Sequence, residues 1–168
     1  IVIDFFKRLN WGLVAIVALG AGLRLWGIGF GLPYMYHPDE GVPVRIALRV
    51  LREGNFNPGF FDWPSLLFYL NALAYGIYFV FGKLIGRFDA PQDLPYPDII
   101  TIAVGQAALP EELIISRALT AVAGTFAIVV IYLICRRVTG NRIAASVGAL
   151  WLAVDPINIR HSQFIRPD

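Results

Sequence analysis

Residues 113–135 read LIISRALTAVAGTFAIVVIYLIC, and this stretch decides the fold class. It is apolar throughout except at Arg117. A helix that crosses a bilayer needs about 20 consecutive apolar residues, and the core of a water-soluble domain does not need runs of that length. Arg136 and Arg137 close the run. A short turn at Thr139-Gly140-Asn141 follows, and then Arg142. The composition agrees with this. Hydrophobic residues make up 57% of the 168 residues and charged residues 15%, against about 25% charge in ordinary soluble domains. Mean hydropathy is +0.63. The expectation is an all-α, polytopic membrane protein. A formal net charge of +2 gives no basic excess that would bring nucleic acid to the chain, and a single cysteine, Cys135, excludes an internal disulfide.

Working outward, three further stretches compete for the bilayer. The first span is 10–29. It is not a signal peptide, because the apolar run is too long and Gly29-Phe30-Gly31-Leu32-Pro33 stands where a small-residue cleavage site would be. The next apolar stretch is 65–86, the second span 112–135 and the third span 142–158, whose helix could continue through Pro156 with a kink. Lys and Arg in short loops set orientation. Lys7 and Arg8 put the N-terminus in the cytoplasm, and Arg136, Arg137 and Arg142 put the loop after the second span there too. The connection 88–112 holds Asp89, Asp93, Asp98, Glu111 and Glu112 and no basic residue, so it reads as external. Every loop falls on its expected side if 65–86 lies at the outer interface or re-enters. Its aromatic residues, Phe68, Tyr69, Tyr75, Tyr78, Phe79 and Phe81, suit that position. A full crossing by 65–86 is the alternative.

Residues 30–64 form an extracytoplasmic loop with an amphipathic helix at 43–53. Pro43 suits an early helical position. Val44, Leu48 and Leu51 share one face, Arg45, Arg49 and Arg52 line the other, and Gly54 supplies the stop. Such a helix is expected on the headgroup surface. Asp62-Trp63-Pro64 reads as the start of the next helix with Asp62 as N-cap. Residues 159–168 begin a second extracytoplasmic loop.

Chemistry-bearing residues gather at the outer face. His37-Pro38-Asp39-Glu40 follows the first span. Two adjacent carboxylates can bind a divalent cation or act as a general base. Alternatively, Asp39 caps a helix and Glu40 sits at its positive end. The segment Arg160-His161-Ser162-Gln163-Phe164-Ile165-Arg166-Pro167-Asp168 emerges on the same side, as a second acidic site among cations or as the snorkelling basic end of a helix. Arg24 and Arg117 each lie about a turn inside an apolar run. A charge at that depth is a functional hypothesis by default, and snorkelling to headgroups is the alternative. Asp155-Pro156 reads as a structural N-cap and N1 pair.

In order along the chain, these pieces resemble the N-terminal part of a GT-C membrane glycosyltransferase of the family-39 protein mannosyltransferase and aminoarabinose transferase-like superfamily. RLWGIGFGLPYMYHPDE from Arg24 to Glu40 is similar to that family's first span and its Asp-Glu loop. DWPSLLFYL from Asp62 to Leu70 is similar to its Pro-Tyr-Leu segment. Ser116-Arg117-Ala118-Leu119 through Arg136-Arg137-Val138-Thr139-Gly140 is similar to its "LR…RRLxG" stretch, and Val154-Asp155-Pro156 with Ser162–Asp168 is similar to its "LSP…SRFARxD" ending. Departures are a single proline at Pro64, Gln163 in place of a frequent arginine, Asp155 where serine is common, and an insertion of roughly Arg87 to Pro110.

The resemblance implies a GT-C-like fold with extracytoplasmic juxtamembrane helices. It also implies transfer of a sugar, with inversion, from a polyprenyl-phosphate donor to a protein, lipid or glycan acceptor at the outer face. Asp39 would be the base, Glu40 would position it or help hold a divalent metal if one is used, and Asp168 would be the second acidic position. Arg117, Arg166, Arg24 and His161 would hold the donor phosphate, with His37 among the substrate-binding residues. The expected partners are membrane lipid and the lipid-linked sugar. The resemblance further implies additional spans beyond Asp168. The rival expectation is a non-catalytic subunit, or a degenerate transferase, packed in a larger membrane complex.

Overall fold

The computed structural model describes residues 10–34, 37–103 and 109–165, with backbone only at Pro38, Ile99 and Ala103. The described residues contain helices, turns and loops and no strand. The chain divides into two compact units, Ile1–Ile28 with Thr120–Gln163, and Gly29–Leu119 with Phe164–Asp168.

In the first unit, α1 (Trp11–Leu25) starts at Asn10, whose side chain accepts from the Leu13 N–H. The long α5 (Pro110–Thr139) contributes its residues from Thr120 onward. Then come α6 (Arg142–Val154), capped by Asn141, and α7 (Pro156–Ser162). As the sequence suggests, Asp155 is the N-cap of α7, accepting from the Asn158 N–H at 3.0 Å, with Pro156 at the first helical position. The expected span at 142–158 is therefore two helices and not one kinked helix. Asp155 is extended (φ −64°, ψ 114°), the conformation a following proline favours.

Helix packing in this unit uses small residues. Ala145, Ala149 and Ala153 recur every fourth position and are fully buried. A methyl group built on Gly20 would come within 3.3 Å of the Ala153 Cβ and 2.3 Å of the Ile128 Cδ1. Small side chains let helix backbones approach, which is how apolar helices associate where no hydrophobic effect drives them together. Asn10 Nδ2 donates to the Tyr132 hydroxyl at 2.6 Å.

The second unit holds a 3-10 turn (Pro38–Glu40), α2 (Gly41–Glu53), α3 (Leu66–Leu84), a second 3-10 turn (Pro91–Asp93), α4 (Ile99–Ala103) and the first turns of α5. Its core joins Val44, Leu48, Ala72, Tyr75, Leu94 and Leu113. Gly54 ends α2 in the left-handed conformation, φ +66°, as glycine does at a helix stop. α3 begins only at Leu66, after Ser65. Asp62 is thus not its N-cap, because Pro64 drives the residue before it out of the helical region.

α2 does not lie bare on a headgroup surface. Its apolar side, including Val44, Ala47, Leu48 and Val50, is buried in the core. Its basic side is covered by the insertion that the resemblance does not account for. Arg45 and Arg52 sit over the Tyr96 ring at 5.1 and 5.3 Å. Arg52 Nη1 donates to the carbonyls of Gln92, at 2.5 Å, and Leu94, while Gln92 Nε2 donates back to the Arg52 carbonyl at 2.9 Å.

Among the described residues, two helices are long and apolar enough to cross a membrane, α3 with 19 residues and α5 with 30. At 1.5 Å per residue α3 is about 28 Å long, close to the ~30 Å hydrocarbon core. α1 and α6, with 15 and 13 residues, reach about 22 and 20 Å and fall short. The stretch expected at the interface is therefore one of the two with spanning length. It is also unbroken, and a re-entrant loop has to reverse direction. One stripe of α3, Leu66, Leu70, Leu73, Ile77, Val80 and Leu84, is apolar and exposed.

Candidate functional site

The Asp-Glu pair sits where the chain tightens into α2. His37 caps the 3-10 turn, its Nδ1 accepting from the Asp39 N–H at 3.3 Å. Asp39 is therefore not the cap weighed in the sequence, while Glu40 stands at the N-cap position of α2 without a side-chain cap hydrogen bond. The Asp39 carboxylate lies 3.6 Å from His37 Nδ1, and its side chain is 43% exposed. The His37 ring rests against Phe164 at 5.5 Å between centroids.

Glu40 points the other way. It is fully buried and meets Arg117 in a two-point ion pair: Nε donates to Oε1 at 2.8 Å and Nη2 to Oε2 at 2.7 Å. Arg117 Nη1 also donates to the Phe30 carbonyl at 2.7 Å. The Ile165 N–H donates to Glu40 Oε1 at 3.3 Å. One carboxylate thus gathers the loop after α1, the turn before α2, the first part of α5 and the last described residue. The adjacent acids are sorted by this arrangement into a fixed, neutralised Glu40 and a solvent-reaching Asp39.

Arg24 is likewise turned inward. It is 0% exposed, and its guanidinium donates to the carbonyls of Gly20 at 3.0 Å, Ala153 at 3.2 Å and Leu152 at 3.0 Å, and to Asn158 Oδ1 at 2.5 Å. These acceptors include the last carbonyls of α6, which no intrahelical donor reaches. Arg24 serves them as a C-terminal cap, the place where a cation also meets the negative end of the helix dipole. His161 is exposed on α7 in the same unit. Gln163 donates to the Leu23 carbonyl at 3.0 Å. Arg166 and Asp168 lie outside the described residues.

The structure therefore brings His37, Asp39, Glu40 and Arg117 together, and it commits Arg24 and Arg117 to acceptors on the chain itself. A divalent cation shared by Asp39 and Glu40 does not fit, because both Glu40 oxygens face a guanidinium. No cluster of three potential metal-ligating side chains occurs among the described residues.

Two features went unread in the sequence. Glu112, counted there with the external acidic connection, is 1% exposed, and its Oε1 has no hydrogen-bond partner. Tyr75, also buried, donates to the Glu112 carbonyl at 3.1 Å and is hydrogen-bonded to the Ser116 hydroxyl. The only signal was Tyr75 itself, a hydroxyl in an otherwise apolar helix, which needs a partner once buried. Second, an apolar groove of about 590 Å³ runs along Val50, Leu51, Tyr69, Leu73, Ile77 and Phe81.

The chain matches no family model, no curated protein and no solved structure.

Proposed function

We propose that this chain is the N-terminal part of a multi-pass glycosyltransferase, with its N-terminus in the cytoplasm, that takes its sugar from a polyprenyl-phosphate donor at the outer face. The observation that carries the reading is the sorting of the Asp-Glu pair. A general base must reach its substrate and keep lone pairs to accept a proton. The Asp39 side chain reaches solvent and that of Glu40 does not, and the buried Glu40–Arg117 pair anchors the turn that presents Asp39. In the reaction, the acceptor oxygen attacks the anomeric carbon from the face opposite the phosphate. The bond to the phosphate oxygen breaks, the lipid phosphate leaves with the electron pair, and Asp39 takes the acceptor proton. A carboxylate is a weak base, so the step relies on an aligned acceptor and a good leaving group. His37, whose Nδ1 accepts from the Asp39 N–H, helps fix the backbone of the turn that carries that carboxylate. The two long apolar helices and the apolar groove support a lipid as substrate and surroundings.

The test is a sugar-transfer assay on full-length protein in membranes with polyprenyl-phosphate sugars. Asp39→Asn is expected to abolish transfer while the protein inserts and accumulates normally. Full activity in that variant would sink the assignment. A second reading, a non-catalytic subunit of a larger membrane complex, is favoured by the inward commitment of Arg24 and Arg117, which leaves the expected phosphate-holding set short. It predicts no transfer by the wild type with any such donor, and co-purification with a partner.

A further inference from the structure

α2 presents Arg45 and Arg49 one helical turn apart, and neither takes part in the site above. They line a pocket of about 250 Å³ whose remaining wall includes Val42, Ile46, Phe60 and Ile102. Among the described residues Arg49 has one hydrogen bond, to the Pro58 carbonyl. Gly59 lets that loop close in: it has φ +60°, and a methyl group built on it would lie 3.2 Å from Arg49 Nη2. Arg45 has no hydrogen bond among the described residues. It lies over the Tyr96 ring and close enough to Asp98 to help hold that carboxyl in its charged form, and its Nε is buried without an acceptor. The nearby acid, Asp98, is turned toward Thr101, accepting from its N–H at 2.7 Å and its hydroxyl at 2.9 Å, and acts on Arg45 through space without an ion-pair contact. Two guanidinium groups border an apolar-walled space, with Asp98 as a neighbouring charge and no carboxylate in ion-pair contact with either among the described residues.

Such a space calls for an anion, and its layout selects one class. A single guanidinium can hold both oxygens of a carboxylate through parallel N–H bonds. Two guanidiniums on one helix face, with Cβ atoms about 5–6 Å apart, suit a tetrahedral group that can offer separate oxygens to each. We propose that Arg45 and Arg49 form a phosphate-binding site, filled by the phosphate of an anionic amphiphile or of a soluble phosphate ester. The site does not depend on the transferase reading. The apolar wall gives room for the first carbons attached to the phosphate.

The experiment uses the full chain with two probes. In detergent micelles, binding of inorganic phosphate is measured by equilibrium dialysis at constant ionic strength. In phosphatidylcholine nanodiscs, retention of doped phosphatidic acid is measured by mass spectrometry. Saturable binding of either probe, weakened at least tenfold in Arg45→Gln and in Arg49→Gln but unchanged in Arg137→Gln, is the expected result. Binding of inorganic phosphate identifies a soluble source, and retention of phosphatidic acid alone identifies a lipid headgroup. Should a glutamine variant fail to fold, Arg45→Lys and Arg49→Lys keep the charge but lose the planar fork, and each should weaken binding several-fold. The proposal is overturned if neither probe saturates, or if the arginine variants that fold bind as the wild type does.

Discussion

Removing either partner of the Glu40–Arg117 pair should destabilise the protein, but with different dependence on pH. Both side chains are essentially inaccessible, at 0% and 1% exposure, and both carboxylate oxygens receive a charged donor. Breaking a buried pair by deleting one member costs about 3–5 kcal/mol, whereas replacing both with apolar groups of similar volume is often neutral. A guanidinium stranded by Glu40→Leu cannot discharge at any ordinary pH, so its penalty should be flat between pH 4 and 8. A carboxylate stranded by Arg117→Met can discharge by taking a proton. For an ordinary glutamate that costs about 1.36 × (7 − 4.3), or ~3.7 kcal/mol, at pH 7. This cost falls by about 1.4 kcal/mol for each unit the pH is lowered toward 4.3. The sign follows from proton uptake: the variant's folded state then binds more protons than its unfolded state, so lower pH favours folding. Unfolding in detergent, followed by tryptophan fluorescence, measures all of this, with Tm shifts of roughly 2–4 °C per kcal/mol for a chain of this size. The double variant should recover most of the loss. The reasoning fails if Glu40→Leu loses under about 1 kcal/mol, or if the Arg117→Met deficit does not shrink on acidification.

Gly124→Ala should destabilise the first unit by about 1–3 kcal/mol, since the new methyl would lie 2.2 Å from Ser162 Oγ and 3.0 Å from Ser162 Cβ. Adding Ser162→Gly should restore part of the loss in the same fluorescence assay. In the segment over α2, Asp93 accepts from the Ala90 and Asp89 N–H groups and Asp98 from Thr101, and these bonds hold both carboxyls below the ordinary aspartate range. Their contribution is complete above the unfolded value of about 3.9 and is lost as pH falls through the lower folded values. Residues 89–103 should become more open to hydrogen exchange below about pH 4, while at neutral pH Asp93→Asn and Asp98→Asn should produce the same opening.

What the sequence made legible was local. The apolar run at 113–135 lies wholly inside α5, Gly54 stops α2, and Asp155-Pro156 starts α7, because each of these is set by a residue's own backbone preference or by a run length. The all-helical character followed from the same signals. The candidate site was legible as a list of charged residues at the edges of apolar runs, and its pairing was not. Arg117 lies 77 residues from Glu40 and Arg24 lies 129 from the Ala153 carbonyl. No periodicity reports a contact over such a separation. The default that a charge inside an apolar run is functional allows two outcomes, a ligand or an internal acceptor, and only the fold distinguishes them. The basic face of α2 misled for a similar reason. Its helical spacing is real, but the segment that covers it is supplied by Gln92, Leu94 and Tyr96, some 40 residues on.

The junction at Glu40 also carries an order in time. The carboxylate leaves the ribosome 77 residues before Arg117 and 125 before Ile165. At about 5–20 residues per second, the first interval is roughly 4–15 s. Throughout it Glu40 lacks the guanidinium it is buried with, and the turn bearing Asp39 is held only by local bonds such as that from the Asp39 N–H to His37. Only after the first turns of α5 have been made can the acid be withdrawn from water against Arg117. A nascent chain arrested before Arg117 would hold every residue of the Asp-Glu motif and lack the ion pair that separates the buried acid from the solvent-reaching one.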